Sequence, residues 1–221
     1  MSPHRITKKE IKEDKFVTFT LKLNELIREH LNLVLMVAGG VILVGVIIFF
    51  VFSSKSKRER NAAELLGKAG MELQTGDLGN ATGNLQTVIN QYQGTESAER
   101  AIFLLASAYY YARDYNQAQS YFEKYLSASK KDPIAAAAAQ AGIADCHMQR
   151  VNFLLAGENY LQAVSLNPGG FLSPQYLKEA ADAYLKADQK DKAREILNRI
   201  IKDYPSSQEV YQAKMRLSED L

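Results

Sequence analysis

The sequence predicts an all-α protein: one transmembrane helix, then an α-solenoid of about four helix pairs, closed by a C-terminal capping helix. Three observations carry that prediction. Leu33 to Phe52 runs for twenty residues without a polar side chain. Beyond Lys55 the chain turns to alanine, tyrosine, leucine and paired charges, a helix-forming composition. Tyr92–Ala98 then reappears in altered form as Tyr204–Val210, 112 residues later. The expected organisation is a tail over 1–30 with an amphipathic helix, a membrane helix over 31–54, a basic linker over 55–61 and a repeat domain over 62–221.

The totals set limits. Against 25 acidic residues stand 27 basic ones, a net charge of +2. Nucleic-acid binding needs a strongly basic face to displace counterions from phosphates, and none is expected here. A single cysteine, Cys146, leaves no internal disulfide, so packing alone must hold the fold.

In the tail, Phe16, Phe19, Leu23, Leu26 and Ile27 recur at helical spacing between Lys15, Thr18, Lys22, Glu25, Arg28 and Glu29. Such a helix suits the headgroup layer of a bilayer, or docking on a membrane partner. The apolar run that follows is about 30 Å long at 1.5 Å per residue, which matches the hydrocarbon thickness. Phe52-Ser53-Ser54-Lys55 offers no small-x-small cleavage site, so an uncleaved anchor is expected. Gly39, Gly40 and Gly45 miss the four-residue spacing that lets two membrane helices pack closely. Sidedness is not set by charge. Lys15, Lys22 and Arg28 precede the span closely, and Lys55, Lys57, Arg58, Arg60 and Lys68 follow it. Arg5, Lys8, Lys9 and Lys12 then restore the balance.

The 112-residue offset divides into steps of 37, 38 and 37, which implies four units. The clearest unit holds Ile102, Leu105, Ala106 and Tyr109, then Tyr115, Ala118, Phe122 and Tyr125. The next holds Ile143, Ala144 and His147, then Phe153, Ala156, Tyr160, Ala163 and Pro168. The last holds Leu177, Ala180, Ala181 and Tyr184, then Ala193, Leu197, Ile200 and Pro205. The first is degenerate: Leu65 and Ala69, then Leu78, Ala81, Leu85 and Val88. Alanines at 106, 144 and 181 let the first helix of each unit approach its partner, and those at 118, 156 and 193 do the same from the second. Phe122, Tyr160 and Leu197 fill the space between units. Pro168 and Pro205 end second helices, because proline lacks the N–H that the next turn needs. Gly76-Asp77 and Arg113-Asp114 mark turns within units. Pro133 and Ala135–Ala139 open the third unit. The stretch 207–217 reads as a lone capping helix, its outer side served by Gln208, Gln212, Lys214 and Arg216.

This pattern resembles the tetratricopeptide repeat over about residues 62–217. The units exceed the family's usual 34 residues. The bulky aromatic near each unit's start is replaced by Leu65, Ile102, Gln140 and Leu177.

Enzymatic chemistry is not expected. Cys146 and His147 lie about 100° apart around a helix and do not converge as nucleophile and base. His147 falls where the repeat places a packing residue. No histidine–carboxylate grouping has metal-ligand spacing, no glycine-rich phosphate loop occurs, and no cofactor or small-molecule substrate is implied. Asn80-Ala81-Thr82 matches a glycosylation sequon, but Ala81 sits at a core position.

The resemblance implies a concave face, lined by first helices, that binds extended or helical peptide segments. Carried onto this chain, its positions are Arg100, Phe103, Ser107, Tyr110 and Tyr111, then Ala141, Asp145, Met148 and Gln149, then Lys178, Asp182 and Lys186. Tyr109 serves packing, which leaves Tyr110 and Tyr111 for a partner. Leu66 and Gly70 occupy the matching places in the first unit, so the lysine and asparagine that grip C-terminal carboxylates in chaperone adaptors are missing.

A charged tail, one anchor, a basic stretch and an alanine-rich repeat domain together resemble the bacterial inner-membrane proteins that are ancillary subunits of the Sec translocon. Asp14–Phe19 and Ala62–Leu73 fit that group. The resemblance implies a cytoplasmic N-terminus and a periplasmic repeat domain, with translocon subunits, periplasmic chaperones or unfolded chains as partners. The Tyr204-Pro205-Ser206-Ser207 turn also resembles repeat proteins of outer-membrane assembly and of cell-division coordination. A scaffold there is the alternative, although those proteins are typically lipoproteins or soluble.

Overall fold

The structure is a computed structural model that describes residues 8–127 and 132–219. Arg5 lies outside the described residues, as do the side chains of Lys8, Lys9, Lys12, Lys15 and Leu26, all of which entered the reading above. The chain divides into two compact units, residues 1–56 and 57–221.

In the first unit, helix α1 (Lys8–Glu29) forms where the tail pattern places it. Phe16, Phe19 and Leu23 are exposed, but so are Val17 and Leu21. At 100° per residue those two fall away from the predicted stripe, so the apolar side chains are not confined to one face. Helix α2 (Leu31–Gln74) follows, and it is long and apolar enough to cross a membrane. From Leu33 to Phe52 its large apolar side chains point outward, with Met36 78% exposed. Apolar on every side, such a helix is stable in hydrocarbon, where its backbone groups are already paired internally. Residues 55–61 are helical throughout and belong to α2.

In the second unit, the end of α2 packs with α3 (Leu78–Gln91), placing Ala62, Leu66 and Ala69 against Leu85, Val88 and Ile89. Three more pairs follow: α4 (Glu96–Tyr111) with α5 (Tyr115–Ser127), α6 (Pro133–Gln149) with α7 (Phe153–Leu166), and α8 (Ser173–Lys186) with α9 (Lys190–Asp203). Helix α10 (Glu209–Ser218) covers the last pair through Ala213, Val210 and Leu217. From α3 onward each helix packs on the next, and first helices also meet across units, α4 on α6 and α8 on α10. The architecture is the predicted solenoid of four pairs and a capping helix.

Both alanine sets are fully buried, as are Ala69 and Ala81 in the degenerate first unit. Between units, the Phe122 ring lies directly over Gly142; a Cβ there would stand 2.5 Å from the ring. Glycine is required for that approach. The same solution recurs where the Tyr184 ring covers Gly157. Helix α6 is buried on most sides, through Ala136, Ala137, Ala139, Ala141, Gly142, Ile143, Ala144 and Cys146. Its small side chains let the neighbouring helices close over it.

The turns within units repeat one geometry. Gly76, Arg113, Val151 and Asp188 all have positive φ, from 57° to 80°. Their spacing of 37, 38 and 37 residues is the sequence period itself. Behind each, the next residue's N–H reaches five residues back: Asp77 to Glu72, Asp114 to Tyr109, Asn152 to His147 and Gln189 to Tyr184. Each bond satisfies a carbonyl that the helix end leaves open, as in a Schellman turn. Asp77 and Asp114 then cap α3 and α5, accepting from Asn80 N–H at 3.2 Å and Gln117 N–H at 3.1 Å. A β-branched residue is costly in the left-handed region, and Val151 is exposed with no packing role to offset it. Val151→Gly relieves about 1–2 kcal/mol of backbone strain and returns part of it as unfolded-chain entropy. The expected net gain is about 0.5–1 kcal/mol, read from urea unfolding of the full chain in detergent. A loss of stability would contradict the turn geometry.

Candidate peptide-binding groove

The first helices α4, α6 and α8 carry the residues expected to line a concave face. On α4, Arg100 is exposed at the end nearest α2, where its charge acts on Glu59. Phe103 is half-buried, its ring 5.6 Å from Phe122 and 5.5 Å from Tyr125 in edge contacts, so it packs between α4 and α5. Ser107 donates to its own helix at Phe103 O. Tyr109 stacks on Tyr121 at 5.4 Å. Tyr110 is half-buried, makes edge contacts with Tyr111 and Tyr115, and accepts from Gln149 Nε2 at 3.3 Å. Tyr111 is 72% exposed and open to a partner.

On α6, Ala141 is buried against α7 and α8 and offers no surface. Met148 packs against the same core, and Gln149 lies between Tyr110 and Tyr115. Asp145 is half-buried and accepts a hydrogen bond from the Tyr160 hydroxyl. Burial pushes its carboxyl above the usual range; the Tyr160 bond opposes this and the Glu179 charge adds to it. The same environment raises Tyr110, through burial first and Asp145 second. On α8, Lys178 pairs with Glu179 at 2.9 Å and Asp182 at 3.6 Å, and Asp182 also receives Arg216 of α10 at 3.1 Å. Lys186 sits apart, its ammonium 5.6 Å from the Phe153 ring.

The fold therefore gathers Tyr110, Asp145, Gln149, Lys178 and Asp182 along one face, and leaves Arg100, Phe103 and Lys186 with other neighbours. It adds Tyr115, Tyr160, Tyr176, Glu179 and Arg216, which the sequence reading passed over or assigned to packing and capping. The signal for the last two was available. Glu179 and Arg216 stand 37 residues apart, in register with Asp145 and Asp182.

Elsewhere, Cys146 is buried and its thiol is pushed up to about 11, by burial before any neighbouring charge. That leaves it inert. Burial also lowers His147, helped by Arg150, which ties α6 to α5 through Asn116 at 2.9 Å and through Gln119. Among the described residues no three His, Cys, Asp or Glu side chains form a group able to hold a metal.

This is a tetratricopeptide-type α-solenoid. A family model for the tetratricopeptide repeat matches residues 179–207, and one for an outer membrane lipoprotein, YfiO, matches residues 58–139. No curated protein matches the chain. Solved structures give the fold. A tetratricopeptide repeat protein from Parabacteroides merdae is 15% identical, with 70% of this chain and 58% of that one covered and a TM-score of 0.58. A putative kinesin light chain from Podosopora anserina with nearly identical TPR-like repeats is 18% identical, with 73% and 90% covered and a TM-score of 0.57. Pseudomonas aeruginosa pilF is 19% identical, with 71% and 67% covered and a TM-score of 0.51. The chain thus spans little more than half of the Parabacteroides protein.

Proposed function

We infer that this protein is a non-enzymatic, membrane-anchored interaction module that holds polypeptide segments of its partners along the α4–α6–α8 face. The observation that carries this is the run of groove side chains there, from Tyr111 and Tyr110 to Asp145 and Asp182, on a rigid stack of first helices. Tyrosine and charged groups on a preformed surface supply contact area at low ordering cost. The outward-facing apolar segment of α2 supports an anchor in the lipid bilayer. The reading places the chain in a bacterial inner membrane as a single-pass protein, N-terminus cytoplasmic and repeat domain periplasmic. Its partners there are translocon subunits, periplasmic chaperones or unfolded chains.

The likeness of residues 58–139 to an outer membrane lipoprotein family favours a second reading, a scaffold in outer-membrane assembly. Photo-crosslinkers placed at Tyr110 and Asp182 in living cells separate the two. The first reading expects adducts with translocon subunits or periplasmic chaperones; adducts with assembly or division proteins support the second. Adducts from control sites on the outer helices but none from either groove position would overturn both.

A further inference from the structure

The repeat supplies its own control for the groove. Asp145 and Asp182 occupy the same position in successive units, 37 residues apart. At Asp182 the charge is closed from two sides, by Lys178 one turn back at 3.6 Å and by Arg216 on the next first helix at 3.1 Å. The residues in those two places around Asp145 are Ala141 and Glu179. One has no charge and the other has the wrong sign. Glu179 is itself held by Lys178 at 2.9 Å. Among the described residues Asp145 is left with the Tyr160 hydroxyl and no cation, although a half-buried carboxylate without a countercharge is costly. Tyr160 of α7 bonds it directly, and the phenol groups of Tyr110 on α4 and Tyr176 on α8 also feel its charge.

We propose that the Asp145 position is a docking point for a basic side chain, an arginine above all, carried by a polypeptide partner lying in the groove. The partner would supply the cation that Arg216 supplies within the chain at Asp182. A guanidinium suits the place because it can bond a carboxylate through two N–H groups while lying against tyrosine faces. The proposal rests on the groove reading above and deepens it: the bound segment is basic, and its register is set at the third unit.

The test uses the full chain in nanodiscs, with its methionine methyls ¹³C-labelled so that Met148 reports from the site. Four ten-residue peptides serve as probes, identical except for Arg, Lys, Gln or Glu at the centre. The expected result is a saturable Met148 shift with the Arg peptide, a weaker one with Lys and none with Gln or Glu. Asp145→Asn should weaken Arg-peptide binding by about thirtyfold or more. Glu179→Arg should abolish it by closing Asp145 from within, as Arg216 closes Asp182, and circular dichroism should show the helical content retained. Equal binding of the Arg and Gln peptides, no saturable shift with the Arg peptide, or binding indifferent to both substitutions would overturn the proposal. If cellular crosslinks from Tyr110 persist in any of those cases, the groove reading stands and only the basic-ligand assignment falls. Absence of adducts from both Tyr110 and Asp182, with control sites still crosslinking, removes the groove reading itself.

Discussion

Phe122→Ala is expected to be the most damaging single truncation in the repeat domain, costing about 3–5 kcal/mol. Phe122 is 4% exposed and bridges two units, with its ring over Gly142 of α6 and edge-on to Phe103 of α4. Truncation empties the joint between the second and third pairs. Gly142→Ala attacks the same joint from the other side. Alanine is the better helix former by about 1 kcal/mol, yet its Cβ would meet the ring at 2.5 Å. Overpacking of that kind costs about 1–3 kcal/mol, so a net loss is expected. The two changes should not add. In the double variant the new methyl group occupies part of the vacated space, and it should be more stable than Phe122→Ala alone. A double-mutant cycle from urea unfolding of the full chain measures this coupling, and simple additivity would mean the ring does not rest on Gly142.

The second large effect lies at the start of the repeat domain. The Glu59 carboxylate of α2 accepts from Glu96 N–H at 2.8 Å, Ser97 N–H at 3.0 Å and the Ser97 hydroxyl at 2.6 Å. It thereby caps the N-terminus of α4 with a negative charge, where open N–H groups and the helix dipole favour one. One residue earlier, Arg58 donates to Gln91 O at the end of α3 and to Gln93 O just beyond it. The expected cost of Glu59→Ala is about 2 kcal/mol at neutral pH, given the usual worth of hydrogen bonds to a charged group. The cost should depend on pH in a defined direction. Burial pushes the Glu59 carboxyl up, but the bonds from Ser97 and Glu96 and the charge of Arg100 outweigh it and hold it below its ordinary 4.5. A carboxyl lowered in the folded state contributes its stability above the unfolded value, and loses it as pH falls through the folded one. The gap between wild type and Glu59→Ala should therefore be full at pH 7 and shrink on acidification below about 4.5. Glu59→Gln, which keeps an acceptor but not the charge, should fall between them. A gap independent of pH would mean the carboxylate is not the cap.

Most of the fold was legible because it depends on period and side-chain size. Ala106, Ala144 and Ala181 are buried where a 37–38 residue repeat requires small residues, and the left-handed turn residues keep the same step. Gly142 carried no such mark, because a glycine inside a helix shows its purpose only when the ring that needs it is in place. The basic stretch at 55–61 was legible as charge but not as contact. Arg58 and Glu59 gain their partners only from the ends of α3 and α4, which arrive 33 to 38 residues later in the chain.

The groove divides along the same line. Tyr110, Asp145 and Asp182 could be placed on the groove side of first helices from the repeat resemblance, because the repeat register fixes which side of a helix a residue occupies. Whether each was free, paired or packed could not. Phe103 turned inward against Phe122 and Tyr125, and Asp182 was closed by Arg216 from a helix read only as a cap. By itself the sequence determined the long apolar helix and the helix pairs, since hydropathy and repeat period are local properties of the chain. The tertiary structure alone decided the electrostatics of the face, since whether a carboxylate keeps or lacks a cation depends on side chains that only the fold brings within a few ångströms.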